Sequence, residues 1–287
     1  MSAYIAPQTF REWHPIGISK SISINKNKPF TFNIGTLPMI LWFSNNKHDI
    51  PNVMINSCKH LGNNLKNAKI INNCLKCPFH DQIYNSSDNF GSIIKSNGLY
   101  WWSYKSYSKT TFIDNVIKTN QKPYNYQIDI NIDLITFILN FISFFDIKKY
   151  TNINKFYHNK NKKLISINND YFKIFFKYPY SIIIRTMKFK GSYIISILPL
   201  TNNKLRLFIT TYNPYSNLIS ILYINYIKYI FENYITSDNL YIKNFFMFKK
   251  GMDDKNKYLE LIYQSFKDYM FLNDFTVNQF MINKNYY

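Results

Sequence analysis

Cysteine, histidine, glycine and acidic side chains are all scarce in this 287-residue chain, with three Cys, five His, seven Gly and 16 Asp plus Glu. Three cysteines are too few for a disulfide framework, which points to a reducing compartment. Five histidines limit how many imidazole-based metal sites the chain can build. The acidic shortage, set against 35 Lys and Arg, leaves a formal net charge of +19. The lysines are spread along the whole chain, in company with Asn, Ile, Tyr and Phe, the residues of A/T-rich codons. The excess therefore reads as coding bias and argues against a nucleic-acid partner, although a cationic surface can still steer an acidic redox partner. Long apolar runs are missing too. The longest, Leu134 to Phe145, is broken by Thr136, Asn140 and Ser143 and falls short of the ~20 residues a membrane span needs. The first residues lack the basic and then apolar segments of a signal peptide, so a soluble, cytoplasmic protein is expected. What the chain has in quantity is apolar area: 46% hydrophobic residues, including 25 Tyr and 25 Phe, call for a packed core and exclude disorder as the main state.

From Ile22 to about Tyr107, short apolar runs alternate with turn residues. Phe30-Thr-Phe-Asn-Ile, Met39-Ile-Leu-Trp-Phe, Val53-Met-Ile and Leu99-Tyr-Trp-Trp predict closely spaced strands of a small antiparallel β domain. The stretch Ser108 to Gln127 is polar, holds Pro123 and is expected to connect two domains. Beyond it, Leu134, Phe137, Ile138, Phe141, Ile142 and Phe145 fall at helical spacing. Ser181-Ile-Ile-Ile, Ser192-Tyr-Ile-Ile-Ser-Ile-Leu and Leu205-Arg-Leu-Phe-Ile-Thr-Thr-Tyr then predict strands. Leu259, Ile262, Tyr263, Phe266 and Met270 recover the helical period near the end, with Asp253 or Asp254 available as N-cap. The expected fold class is α+β: a β domain over 11–115 and a second α+β domain over 128–287 with a long C-terminal helix.

Chemistry concentrates in two short stretches, Cys58-Lys-His60-Leu-Gly62 and Cys77-Pro-Phe-His80. Each presents one soft thiolate and one imidazole. A [2Fe-2S] cluster can be held this way, with two Cys on one iron and two His on the other. The single residue between Cys58 and His60 matters, because mononuclear zinc sites usually space paired ligands by two to four residues. Zinc stays open as a second reading, since Cys74-Leu-Lys-Cys77 is itself a C-x-x-C that could join Cys58 and His80.

The pattern C-x-H-x-G … C-P-[FY]-H resembles the Rieske iron-sulfur motif. The flanks Trp13-His-Pro-Ile-Gly, Gly35-Thr-Leu-Pro-Met-Ile-Leu-Trp, Gly91 and Gly98-Leu-Tyr-Trp-Trp resemble those that frame the motif in Rieske oxygenase alpha subunits. The resemblance implies one [2Fe-2S] cluster per chain, with Cys58 and Cys77 on one iron and His60 and His80 on the other. Cys74 is then a bystander. The respiratory branch of the family carries an extra Cys in each loop and a Ser two residues after the last ligand. Here those positions hold Asn63, Phe79 and Gln82, so the resemblance is to the oxygenase and ferredoxin branch. Asp81 departs from the family, which usually has Gly there.

Rieske oxygenases also carry a mononuclear iron, held by two His and one carboxylate. The family's helix signature, N-x-x-D-x-x-H-x-x-x-x-H, meets Asn140, Ser143, Asp146 and Thr151 in this sequence. Phe271-Leu-Asn-Asp274-Phe-Thr-Val-Asn-Gln279 resembles the segment that bears the third ligand. After His80 the chain has one histidine, His158, so a two-His site cannot be built and a mononuclear Fe(II) is not expected. Asp146 and Asp274 read as vestiges of that site, His158 as a surface loop residue, and His14 and His48 as structural. The function expected is single-electron transfer through the cluster, with a reductase or ferredoxin as donor. Two alternatives remain. One is a monooxygenase with a non-standard iron site built from Asp146, His158 and Asp274. The other is a non-enzymatic binding protein stabilised by zinc or a cluster. The resemblance further implies a hydrophobic small-molecule ligand in the second domain and a homotrimer, in which the bridging acid replaced here by Ser143 would join neighbouring subunits.

Overall fold

The computed structural model describes residues 12–24, 26–35, 37–44, 50–104, 122–134, 136–138, 140–141, 155–159, 164–168, 172–177, 181–186, 191–201, 203–212, 222, 225–226 and 228–229. They fall into two compact units, divided after residue 116.

The first unit contains β1 (His14–Ile18), α1 (Ser19–Ile24), β2 (Phe30–Ile34), β3 (Leu37–Trp42), β4 (Asn52–Ile55), β5 (Lys69–Ile71), β6 (Cys74–Lys76), β7 (Ile83–Tyr84), β8 (Ser92–Ser96) and β9 (Leu99–Ser103), with a 3-10 turn at Ser86–Asp88. The strands form three antiparallel three-stranded sheets, in the orders β1-β9-β8, β2-β3-β4 and β5-β6-β7. Two hairpins are set by turn chemistry. Asn72 and Asn73 (φ 48° and 70°) link β5 to β6, and Asn97 and Gly98 (φ 54° and 75°) link β8 to β9. Both central residues of each turn are left-handed, the geometry whose twist matches paired strands and which Asn and Gly tolerate. Trp42, Tyr84, Tyr100, Trp101 and Trp102 are fully buried. Their indole N–H groups find carbonyl partners: Trp101 Nε1 donates to Ser96 O at 3.2 Å, Trp102 Nε1 to Phe90 O at 2.8 Å and Trp42 Nε1 to Asn73 O at 3.4 Å. The antiparallel β domain expected from the sequence is the one observed.

The second unit contains β10 (Tyr124–Ile130), β11 (Lys155–Asn159), β12 (Leu164–Asn168), β13 (Phe172–Lys177), β14 (Ser181–Thr186), β15 (Ser192–Thr201) and β16 (Lys204–Tyr212) in one antiparallel sheet ordered β10-β16-β15-β14-β13-β12-β11. Cross-strand register aligns Tyr126, Ile209, Ile195, Ile182 and Phe176 in a row. The isoleucines and Phe176 of that row are buried, each contributing roughly 1.5–3 kcal/mol of transfer free energy. Residues 134, 136–138, 140 and 141 are helical. Asp133 starts this segment, its Oδ1 accepting from Thr136 N at 2.8 Å. Of the apolar positions predicted at helical spacing, Leu134, Phe137, Ile138 and Phe141 are buried, and Ile142 and Phe145 lie outside the described residues. The Phe141 ring meets Phe176 edge-on with centroids 6.3 Å apart, which seats the helix on the isoleucine face of the sheet.

The strands expected from residues 181, 192 and 205 onward are present. Strand β10 begins at Tyr124, inside the stretch read from sequence as a connection. Its alternation of Tyr124, Tyr126, Ile128 and Ile130 with Asn125, Gln127 and Asp129 is a two-residue period that the polar half conceals. His158 lies in β11 with its backbone opposite Ile165, so it is a strand residue rather than a loop residue. The long C-terminal helix expected around Leu259 to Met270 lies outside the described residues. With mostly antiparallel sheet and a helix packed on it, the molecule is a β domain joined to an α+β domain.

Candidate metal centre

Two loops carry the motif residues. The first joins β4 to β5 and folds tightly on itself: Cys58 N donates to Asn63 O at 2.7 Å, and Gly62 N donates to Cys58 O at 2.8 Å. Gly62 has φ 73°, which an L side chain resists, so the glycine of C-x-H-x-G is a backbone requirement. Asn56 Oδ1 accepts from Leu65 N at 2.9 Å and pins the far side of the loop. The second loop joins β6 to β7 and is closed at its base by Cys77 N donating to Gln82 O at 2.8 Å. Asp81 takes φ 60° here, the left-handed conformation for which glycine would serve, so the substitution keeps the turn. Its carboxylate pairs with Lys76 at 2.9 Å, joining the residues that flank the Cys77-to-His80 run.

The four motif side chains divide into an inner and an outer pair. Cys58 and Cys77 are each 1% exposed, and their thiols are within hydrogen-bonding reach of each other. His60 and His80 are exposed, with ring centroids 4.9 Å apart and planes at 89°. Leu61 and Phe79, their chain neighbours, are also exposed. Cys74 is not part of this group. It shares the half-exposed face of β6 with Lys76, whereas Leu75 between them is fully buried. Among the described residues no three His, Cys, Asp or Glu side chains converge as a single-ion site would require.

Hydrogen-bond donors converge on the inner sulfur. Tyr84 Oη donates to Cys58 Sγ at 3.0 Å and itself accepts from Lys59 N at 2.8 Å. Burial pushes the Cys58 thiol up, but the Tyr84 hydroxyl, the backbone N–H groups of His60 and Leu61 and the Cys77 thiol outweigh it and hold Cys58 below the ordinary thiol range. Burial, together with the bond to Cys58, pushes the Tyr84 phenol above its usual range, so it remains a protonated donor at neutral pH. Two thiols with a ready-made set of donors on the protein side and two imidazoles at the solvent side are a suitable donor set for a [2Fe-2S] cluster bound Cys₂/His₂. The sequence reading missed Tyr84. Nothing in the sequence marks Tyr84, which lies opposite Leu75 on a two-residue strand.

Residues 12–99 match the family described as the Rieske [2Fe-2S] domain. The chain carries a Rieske domain. No curated protein matches the chain in sequence. Solved structures match it in fold. NdmA from Pseudomonas putida CBB5, as a QL mutant with caffeine, superposes with a TM-score of 0.64 at 10% identity, over 91% of this chain and 90% of that one. Dicamba monooxygenase with non-heme iron and dicamba gives 0.66 at 10% identity, over 92% and 98%. NdmB from the same Pseudomonas strain gives 0.61 at 13%, over 82% and 84%. At these identities the likeness shows the fold alone, a Rieske domain followed by an α+β domain as in oxygenase alpha subunits. Of the residues read as vestiges of a mononuclear iron site, Asp146 and Asp274 lie outside the described residues, as do Ser143, Thr151 and His48. His14 is fully buried on β1 and packs on Trp102 with ring centroids 5.7 Å apart, the structural role expected of it.

Proposed function

We propose that this protein is a single-electron carrier in which Cys58 and Cys77 hold one iron, and His60 and His80 the other, of one [2Fe-2S] cluster. The observation that supports it most directly is the asymmetry of the site, with both thiols buried and both imidazoles exposed and 4.9 Å apart. When bound, the cluster supplies a one-electron couple whose potential responds to hydrogen bonds at its sulfurs and to solvent exposure. The chain's own residues do the rest. Cys58 and Cys77 keep water from the sulfur side. Tyr84 and the His60 and Leu61 amides neutralise charge on the Cys58 sulfur. His60 and His80, flanked by exposed Leu61 and Phe79, form the edge at which a reductase or ferredoxin would dock.

A second reading, a monooxygenase with a non-standard iron site of Asp146, His158 and Asp274, draws support from the fold likeness across both domains. Against it stands the single histidine after His80, and fold alone does not carry chemistry. Protein purified without oxygen tests both. Two irons, two acid-labile sulfides and a Rieske EPR signal on reduction are expected for the carrier. A third tightly bound iron would favour the monooxygenase, and zinc without sulfide would overturn the cluster.

A further inference from the structure

Lys59 sits between two proposed ligands, and its side chain reaches Tyr84 and Asp88. Its ammonium lies over the Tyr84 ring, 5.8 Å from the centroid, and forms an ion pair with Asp88 Oδ1. Asp88 is itself held: its Oδ2 accepts from Asn85 N at 2.9 Å in a capping box, where Asn85 Oδ1 accepts from Ser87 N at 2.8 Å. The next residue, Asn89, accepts from Val53 N of β4 at 2.9 Å. Lys59 thus grips the segment that follows the second loop by two routes, its backbone N–H on Tyr84 Oη of β7 and its ammonium on Asp88 of the turn. Those contacts join residues 25 and 29 apart in sequence, so they tie one loop to the other.

We propose that Lys59 and Asp88 are positioning residues, whose ion pair clasps the first loop to the turn after the second, so that protein contacts as well as the metal hold Cys58 and His60 in place. The inference rests on the [2Fe-2S] reading above. Outer residues of this kind orient ligands and typically change metal affinity by roughly 10- to 100-fold when removed. The pair also places a cation over the ring of Tyr84, whose hydroxyl donates to the Cys58 sulfur, with an anion against that cation, and each charge bears on the potential with its own sign.

The test uses the full-length, cluster-loaded protein and its variants Lys59→Met, Lys59→Arg and Asp88→Asn. Cluster loss to an iron chelator is followed by visible absorbance, and the midpoint potential by EPR-monitored titration. Lys59→Met should lose its cluster roughly 10-fold faster, and Lys59→Arg should restore retention. Lys59→Met should lower the potential, because Asp88 is left uncompensated. Asp88→Asn, which keeps an oxygen acceptor for Asn85 N, should raise it. A purely structural role would not move the two potentials in opposite directions. If Lys59→Met does not fold, Asp88→Asn alone is compared with wild type: faster cluster loss at a raised potential is expected, and unchanged retention at an unchanged potential overturns the clasp. Variants that keep their clusters as long as wild type, at unchanged potential, overturn the clasp alone. A wild-type protein that takes up no cluster overturns the carrier reading and the clasp with it.

Discussion

The hydroxyl of Tyr84 reaches the Cys58 sulfur across 3.0 Å while accepting the Lys59 amide at 2.8 Å, so one buried phenol on β7 holds the first loop of the metal centre at two adjacent residues. A hydrogen bond to a thiolate is worth more in the reduced state, where the sulfur carries more charge. Tyr84→Phe should therefore lower the cluster potential by on the order of 50 mV, about 1 kcal/mol for one electron. EPR-monitored redox titration measures it, and an unchanged midpoint would mean that the bond does not reach the cluster.

His80→Cys replaces a neutral imidazole with a thiolate. The variant is expected to hold a cluster and to titrate at a lower potential than wild type, since added negative charge disfavours the reduced form. An unshifted potential in a cluster-loaded variant would show that His80 is not a ligand.

Asp81→Gly separates backbone from charge. Glycine accepts φ 60° freely, which relieves ~1 kcal/mol of left-handed strain. Against this, the variant loses the Lys76 ion pair, worth about 0–1 kcal/mol at an exposed site. Thermal stability is expected to stay within about 1 kcal/mol of wild type, while the potential rises because a carboxylate next to His80 is gone. A fall in potential would contradict this account.

Gly91→Ala should be far more damaging than its size suggests. Gly91 has φ 84°, and a Cβ there would stand 2.6 Å from Ser103 O and 2.7 Å from Trp102 Nε1, the indole that donates to Phe90 O. Backbone strain and the clash together are expected to cost about 2–4 kcal/mol, read as a lowered melting temperature of the Rieske domain.

The second domain carries a pH dependence of its own. Arg206 Nε and Nη2 donate to the two carboxylate oxygens of Asp129 at 2.7 and 2.8 Å, and these bonds hold Asp129 below the usual carboxylate range. A group depressed on folding stabilises the native state at pH values above its unfolded pKa, near ~3.9, and that stabilisation is lost as pH falls through the depressed native value. The pair is partly exposed, so its worth is about 0.2–1 kcal/mol. Urea midpoints measured from pH 6 down to pH 3 should fall more for wild type than for Asp129→Asn, and parallel curves would remove the pair from the stability of the sheet.

Local patterns were legible and distant partnerships were not. Cys58, His60, Cys77 and His80 could be read because the chemistry fixes their spacing within two short loops, and Phe137 and Phe141 because a helix repeats every 3.6 residues. No turn was expected at Asn72-Asn73 or Asn97-Gly98, although both pairs consist of residues that tolerate left-handed backbone. Tyr84 gave no signal, since nothing about one tyrosine on a two-residue strand says that its hydroxyl will meet a cysteine 26 positions earlier. The Lys59–Asp88 pair was hidden for the same reason. In the second domain the apolar strands β14, β15 and β16 were legible. Strand β10 was not, because half of its residues are polar and its partner lies far along the chain.

That remote pairing has a kinetic consequence. Strands β11 to β16 follow one another as a simple meander, so each can pair with its predecessor soon after it is made. Strand β10 is synthesised before all of them, and its neighbour is the last. Closing so long a loop is slow, so docking of β10 onto β16 is expected to be a late event in folding. Until then the strand waits unpaired, and its row of Asn125, Gln127 and Asp129 acts as a guard that discourages the waiting edge from joining another chain.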